Sequence, residues 1–145
     1  MWADKLGLAH YNETLVNKLF QLMVQTKVDF TIFFRELCKI PKDWSDLKIS
    51  FYASIPTDLE HQWQTWLQSW NELIGGSGDP NEIAEKMKRV NPKYTWREWL
   101  IAPAYQQAQQ GDYALVKELQ EVFSHPYEEQ SQAIEEKYYL SLIHI

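Results

Sequence analysis

Several hallmarks of common protein classes are scarce in this sequence of 145 residues. Its single cysteine, Cys38, excludes an internal disulfide and a zinc site built from several cysteines. No apolar run reaches the ~18–20 residues that cross a bilayer, and no basic stretch followed by an apolar one marks a signal peptide. We therefore expect a cytoplasmic protein without a membrane partner.

Positive charge is also in short supply. The 14 Lys and Arg residues stand against 20 Asp and Glu residues, which gives a net charge of -6. An acidic chain lacks the positive surface that binds phosphate backbones, so we expect no nucleic-acid partner. The sequence is 45% hydrophobic and 14% aromatic, which is too much for a disordered chain. Its length predicts one folded region.

The 5 glycines and 6 prolines separate stretches in which apolar residues recur at three- and four-residue intervals. This spacing is typical of amphipathic helices. We expect Asp29 to cap one helix and Asp79, followed by Pro80, to cap another. The expected apolar faces are Leu15, Val16, Leu19, Phe20 and Met23; Phe30, Phe33, Phe34, Leu37 and Cys38; Leu59, Trp63, Trp66, Leu67, Trp70, Leu73 and Ile74; Ile83, Ala84, Met87 and Val90; Trp96, Trp99, Leu100 and Ala108; and Leu115, Val116, Leu119, Val122 and Phe123.

Two further helix starts are predicted by capping boxes, in which Thr57 pairs with Glu60 and Thr95 with Glu98. The sequence contains 7 tryptophans, and most of them fall on the expected apolar faces. Because an aromatic ring buries about 150–250 Å² of surface, we expect most of them to anchor the core. A ligand-stacking platform is the alternative interpretation.

Turn residues complete the predicted fold. Gly7 is expected to end the first helix, and Gly111 with Asp112 to join two helices in an αα-hairpin. Pro103 is expected to kink the helix that contains it. Between residues 42 and 56 a partly alternating pattern leaves a short strand open. The predicted fold class is mainly α, built from amphipathic helices and αα-hairpins.

No pattern in the sequence predicts a catalytic, cofactor-binding or metal site. The Gly-Gly-Ser-Gly stretch at 75–78 lacks the lysine of a P-loop and is interpreted as a linker. Asp29 precedes Phe-Thr rather than the Phe-Gly of a kinase metal site, and a helix cap explains it better. The glutamates between 128 and 136 are interpreted as a solvated face, and Cys38 as an inert buried thiol.

Six short blocks of the sequence nevertheless resemble motifs of one known protein family, and they occur in the same order. They are Lys-Leu-Gly-Leu at 5–8, Val-Asp-Phe-Thr at 28–31, Trp-Leu-Gln-Ser-Trp at 66–70, Asn-Pro-Lys-Tyr-Thr-Trp-Arg-Glu-Trp-Leu at 91–100, Gly-Asp-Tyr at 111–113 and Pro-Tyr-Glu-Glu-Gln at 126–130. Together they resemble the carboxy-terminal part of proteins of the selenoprotein O family. The members of this family are pseudokinase-type protein adenylyltransferases. The most specific block, at 91–100, is similar to the family's Asn-Pro-x-x-x-Leu-Arg-x-x-Leu, although Trp96 replaces the first leucine.

The motif positions for which this resemblance implies structural roles are Asn91, Pro92, Tyr94, Arg97, Leu100, Gly111, Asp112 and Pro126. The resemblance further implies an intact protein that transfers AMP from ATP to hydroxyl-bearing side chains of other proteins, using Mg²⁺ or Mn²⁺. The family's glycine-rich loop, nucleotide-binding residues, catalytic aspartate and metal ligands precede the block at residue 5. No catalytic, cofactor or metal residue is therefore assigned here, and the isolated chain is expected to be inactive.

The resemblance also implies a place in a larger protein. It makes this sequence the helical carboxy-terminal region of a protein-kinase-like fold, with Met1 an internal methionine. Its expected partners are the kinase-like amino-terminal portion and the protein substrates of the parent. Because the family also occurs in mitochondria, that compartment is the alternative to the cytoplasm.

The predicted domain organisation is a single helical region over residues 1–139 followed by a non-native tail at 140–145. Family members continue instead towards a terminal Cys or selenocysteine implicated in redox control. The alternative to a carboxy-terminal portion is a free-standing helical interaction module that binds a partner through a tryptophan-rich face.

Overall fold

The computed structural model describes residues 1–140, which are mainly helical as predicted. The helices are α1 (Trp2–Lys5), α2 (Glu13–Thr26), α3 (Phe30–Leu37), α4 (Thr57–Gly75), α5 (Pro80–Val90), α6 (Glu98–Gln109), α7 (Ala114–Phe123) and α8 (Gln132–Ile134), with a 3-10 helix at Trp44–Ser50 and a π-helical turn at Glu135–Tyr139. The chain divides into two compact units, a first unit of Met1–Asn91 and a second unit of Pro92–Ile145.

Three tryptophans of α4 form the centre of the first unit. Trp63, Trp66 and Trp70 recur at three- and four-residue intervals and are at most 3% exposed. The rings of Trp66 and Trp70 stack with centroids 6.3 Å apart, and Trp63 lies 5.3 Å from the ring of Phe33 on α3. The apolar face of α4 is therefore buried, as its amphipathic spacing predicts.

The same three indoles also fix how α4 sits against its neighbours. Each N–H donates to an acceptor on another part of the first unit. The pairs are Trp63 Nε1 to Thr26 Oγ1 (3.3 Å), Trp66 Nε1 to the Leu15 carbonyl (3.0 Å) and Trp70 Nε1 to the Leu6 carbonyl (2.8 Å). A buried N–H without an acceptor costs about 1–3 kcal/mol, so these bonds select one rotation and one position of α4.

Two of the predicted helix caps are confirmed. The Asp29 carboxylate accepts the Ile32 N–H at 3.0 Å at the start of α3. Asp79 caps α5 by accepting the Asn81 N–H at 3.2 Å, with Pro80 as the first helical residue.

Both predicted capping boxes are wrong. Thr57 is already the first residue of α4, and the cap position belongs to Pro56, which has no side-chain acceptor. Helix α6 begins only at Glu98 with Arg97 at its cap, so Thr95 lies before the helix. In both cases the Thr-x-x-Glu pattern is present but out of register with the helix start.

The segment in which a strand was left open contains the 3-10 helix Trp44–Ser50 instead. Its buried residues Leu47 and Ser50 are three apart, which is the period of a 3-10 helix. Among residues 1–140 extended pairing is limited to an isolated antiparallel bridge between Val28 and Phe51. The partial alternation of the sequence thus reflects a turn of period three rather than a strand.

The second unit is organised by the predicted αα-hairpin of α6 and α7. Gly111 joins the two helices with a φ of 87°, and the Asp112 carboxylate accepts the Ala114 N–H at 3.0 Å. Helix α6 continues through Pro103, and the kink expected there stays a prediction. The buried side chains of this unit are Lys93, Tyr94, Ala104, Leu119, Val122, Tyr138 and Tyr139.

Not all of the predicted apolar faces are buried. Six of their members are between 39% and 60% exposed, and they lie in both units. Those at least 39% exposed are Phe30, Leu73, Val90, Trp96, Trp99 and Val116. Trp63, Trp66 and Trp70 are buried, and Trp2 and Trp44 pack against the same core, so the expectation that most tryptophans anchor the core is confirmed. Trp96 and Trp99 were expected on a buried face and are exposed. The prediction of one helical region over 1–139 stays a prediction, and residues 141–145 of the expected tail lie outside the described part of the chain.

Candidate functional site

The resemblance implies ATP and a divalent cation for the intact protein, and neither the glycine-rich stretch at 75–78 nor any described cluster of acidic, His or Cys side chains fits them. Among residues 1–140 no group of three or more His, Cys, Asp and Glu side chains could hold a metal ion. Helix α4 ends at Gly75, and the glycine-rich stretch leads into the Asp79 cap of α5 without a phosphate-binding lysine. No step of AMP transfer is therefore assigned to these residues. None of the described helices is long and apolar enough to cross a membrane.

The motif residue Asn91 ties three helices of the first unit together. It is fully buried, and its side-chain N–H donates to the Lys5 carbonyl at the end of α1 at 2.9 Å and to Cys38 Sγ after α3 at 3.7 Å. Its own carbonyl accepts from Arg35 Nη1 at 3.2 Å. Arg35 also donates to the Lys88 carbonyl, so a buried cation satisfies the carboxy-terminal end of α5.

Cys38 is buried next to this junction, as the sequence predicted. Burial raises the pKa of its thiol to about 11, against smaller opposing effects that begin with the hydrogen bond from Asn91. Its S–H donates to the Phe34 carbonyl at 3.2 Å. A thiol that keeps its proton at neutral pH is a poor nucleophile, which supports the interpretation of an inert core residue.

Two of the sequence blocks meet in the second unit. The Pro126 carbonyl accepts both the Lys93 N–H at 2.8 Å and the Tyr94 N–H at 3.2 Å. The segment before α6 is thereby joined to the loop after α7 through one acceptor. Pro92 begins this segment and is half-buried, whereas the Tyr94 side chain is fully buried.

Lys93 adds an ionic contact at the same junction. Its side chain is 5% exposed, and its ammonium lies 2.5 Å from a Glu129 oxygen and 3.2 Å from a Glu135 oxygen. It also lies 5.0 Å from the centre of the Tyr139 ring. A buried ammonium requires such partners, because an unpaired buried charge is strongly unfavourable. Lys93 was not singled out from the sequence, and its place inside the 91–100 block was the one available signal.

The remaining motif residues lie at helix ends. Arg97 occupies the cap of α6, and its guanidinium lies 5.5 Å from the centre of the Trp99 ring. Leu100 is half-buried in the first turn of α6. Gly111 and Asp112 form the hairpin joint. The structure therefore brings Tyr94 and Pro126 together, whereas Arg97, Gly111 and Asp112 lie where elements begin and end.

A second polar cluster lies between α7 and the π-helical turn. One oxygen of Glu118 accepts from Lys137 Nζ at 2.7 Å and from Tyr138 Oη at 2.6 Å. The hydrogen bond from Lys137, followed by that from Tyr138, lowers the pKa of Glu118. The hydrogen bond to Glu118 raises the pKa of Lys137, and burial raises that of Tyr138. Because these hydrogen bonds join α7 to the π-helical turn, the cluster stabilises the position of the turn.

Concave surfaces lie in both units. In the first unit an open groove of about 830 Å³ runs between α2 and α4, with Leu15, Trp66 and Leu73 among mostly polar neighbours. In the second unit a cleft of about 470 Å³ opens on the hairpin. This apolar cleft is lined by Trp96, Ile101, Ala104, Tyr105, Val116, Leu119, Gln120, Phe123 and Ser124. Trp96 stacks on Phe123 at its edge with ring centroids 4.5 Å apart.

Comparison with known proteins identifies relatives over most of the chain. A family model described as protein adenylyltransferase SelO matches residues 1–124. A protein nucleotidyltransferase YdiU from Tolumonas auensis is 37% identical over 139 residues, which cover 90% of this chain and 27% of that protein. The corresponding protein from Aromatoleum aromaticum is 34% identical over 138 residues, covering 90% of this chain and 26% of its own length. This chain spans about a quarter of the length of the curated relatives it matches.

Proposed function

Because the chain belongs to the SelO family of protein adenylyltransferases, we propose that it is the carboxy-terminal helical portion of such an enzyme. The intact parent transfers AMP from ATP to the hydroxyl groups of Ser, Thr or Tyr side chains of other proteins, with Mg²⁺ or Mn²⁺ bound elsewhere in the parent. The family match over residues 1–124 is the observation that carries this proposal.

The role of this portion is structural: it packs against the kinase-like body of the parent and supports its active cleft. The use that the chain makes of its buried polar groups supports this role. Asp29 caps a helix, Arg35 satisfies the end of another, and Lys93 joins two loops. Each of these side chains is at most 5% exposed, so none of them presents its charged group to a substrate.

The direct test compares this chain with the full-length protein from the same genomic locus. Both are incubated with a protein acceptor, Mg²⁺ or Mn²⁺ and ATP labelled on the α-phosphate. We expect label on the acceptor with the full-length protein and none with this chain. Transfer of AMP by the purified chain alone would refute the structural role.

Sequencing the locus tests the same proposal independently. An open reading frame upstream that carries a glycine-rich loop and a metal-binding aspartate is the expected result.

A free-standing interaction module is the second candidate, and the exposure of Trp96 at 60% and Trp99 at 40% favours it. Such a module binds its partner through an aromatic face. It predicts a stop codon just before Met1 and cooperative unfolding of the chain by itself. A continuous upstream frame would exclude it.

A further inference from the structure

The apolar cleft of the α6–α7 hairpin has the properties of a surface that is normally covered. Tyr105 is 68% exposed, Trp96 60% and Val116 39%, and all three line the same concave surface. Only Ala104 is buried among the residues of α6, although seven successive positions of that helix, 99–105, carry apolar or aromatic side chains or proline. A contiguous exposed patch of this kind usually marks a contact surface.

The small core of the second unit also indicates that the cleft is normally covered. Its buried apolar side chains are limited to Tyr94, Ala104, Leu119, Val122, Tyr138 and Tyr139 among the described residues. A unit of this size buries a low fraction of its surface and is marginally stable alone. Covering the cleft adds apolar burial at the place where the unit has least.

The lining of the cleft restricts what can occupy it. It contains no charged side chain, which argues against a charged peptide or a phosphate-bearing ligand. Apart from Trp96, which precedes α6, and Ser124, which follows α7, the lining residues lie on these two helices. Their backbone groups bond within the helix, so the helical walls offer no edge to an added strand. Apolar side chains projecting from a helix or a turn fit both conditions.

We propose that the cleft is the docking surface for the part of the parent protein that lies outside this sequence. This inference rests on the proposed function. The chain spans 27% of the length of its relative from Tolumonas auensis, so most of a family member is available to supply the cover. The occupant is an apolar segment of that same polypeptide, and the contact is intramolecular.

The test is hydroxyl-radical footprinting of this chain and of the full-length protein, read by mass spectrometry. Trp96 and Tyr105 report on the cleft, and Tyr113, which is 55% exposed outside the lining, is the internal control. We expect oxidation of Trp96 and Tyr105 to fall several-fold in the full-length protein relative to this chain, with Tyr113 unchanged.

Two matched variants sharpen this test. Val116→Glu places a carboxylate in the lining, where burying it is unfavourable, and should restore the oxidation of Tyr105 in the full-length protein. Val24→Glu makes the same change at a position of α2 that is 82% exposed in the first unit and should leave the footprint unchanged. Circular dichroism of both variants checks that the helices are retained.

Each other outcome overturns the inference. Equal oxidation of Trp96 and Tyr105 in both proteins means that the parent does not cover the cleft. Protection in this chain that depends on its concentration assigns the cleft to a second copy, and concentration-independent protection assigns it to the chain itself. The proposed function survives these results if the full-length protein transfers AMP, and it fails separately if the locus has no upstream frame.

Discussion

Lys93 keeps a charged group at a position where its side chain is 5% exposed, whereas its partners Glu129 and Glu135 are 60% and 35% exposed. The cost of burial therefore falls mainly on the ammonium, and the carboxylates offset it from the solvent side. The change in stability should therefore depend on whether the buried lysine or its two exposed carboxylate partners are replaced.

Replacing both carboxylates, by Glu129→Gln together with Glu135→Gln, leaves the buried ammonium without an anionic partner. We expect this double variant to lower the free energy of unfolding of the second unit by about 3 kcal/mol. Lys93→Met removes the buried charge itself and should change the free energy by less than about 1 kcal/mol. Chemical denaturation of the variants gives both values. A greater loss in Lys93→Met than in the double variant would contradict this account.

Glu118 makes the stability of the second unit depend on pH in the acid range. Its pKa is lowered from 4.5 in the folded state by hydrogen bonds from Lys137 and Tyr138. The stabilisation is therefore present above the unfolded pKa and is lost as the pH falls through the lower folded pKa. Lowering the pH from neutral to below the usual pKa range of glutamate should decrease the free energy of unfolding of the wild type. We expect this decrease to be smaller in Glu118→Gln, which has no carboxylate at this position. Unfolding at several pH values measures this difference.

The matched control for that experiment is Glu121→Gln, an exposed glutamate on the same helix. It should retain the acid dependence of the wild type. Identical pH profiles for Glu118→Gln and the wild type would show that the cluster does not stabilise the fold.

At the scale of helices, the sequence predicted the elements better than their starts. Asp29 and Asp79 were identified correctly because a carboxylate before an apolar stripe is a strong local signal. Thr95 was misassigned because its helix starts later than the Thr-x-x-Glu pattern indicates, and Thr57 because that pattern fits a cap and the first helical turn equally well. The choice between them is made by neighbours such as Pro56, whose backbone is already in the extended conformation that a cap requires.

Two glycines provide a matched test of helix ends. Gly7 has a φ of +68°, and an added Cβ would lie 2.8 Å from Ile83 Cγ2 and 2.8 Å from Met87 Sδ. Gly75 ends α4 with nothing within 4 Å of an added Cβ. We expect Gly7→Ala to cost at least about 1 kcal/mol, through left-handed strain and this contact. Gly75→Ala should be neutral or stabilise by up to about 1 kcal/mol, because alanine favours helix.

Thermal or chemical unfolding of the two alanine variants decides this prediction. Equal effects of the two substitutions would show that the backbone at Gly7 adjusts without cost. The result also tests whether the end of α1 is rigidly packed on α5.

At the scale of the molecule, local pattern predicted the α4 core and failed for α6. Trp63, Trp66 and Trp70 were placed correctly because their spacing and their partners lie within one unit. Trp96 and Trp99 have similar local spacing, yet they are exposed in the described structure. The meeting of Lys93 with Glu129 could not be predicted either, because it depends on how the loop after α7 folds back and not on any local period.

The two units should differ in local stability. Helix α4 buries five residues, Trp63, Trp66, Leu67, Trp70 and Ile74, whereas α6 buries Ala104 alone. Since opening of a segment costs more when it exposes more apolar surface, amides of α4 should exchange more slowly than those of α6. Hydrogen–deuterium exchange with mass spectrometry measures both helices in one experiment. Protection of α6 equal to that of α4 would contradict this expectation.

The uneven placement of the tryptophans gives the chain an optical signature. The indoles at 63, 66 and 70 are enclosed in apolar surroundings in the first unit, and those at 96 and 99 meet water in the second. Emission from the enclosed group is shifted to shorter wavelength, and a small quencher such as acrylamide reaches the exposed group first. In a quenching titration the exposed indoles of the second unit therefore respond before the enclosed group of the first, and the half-buried Trp2 and Trp44 of the first unit respond between them.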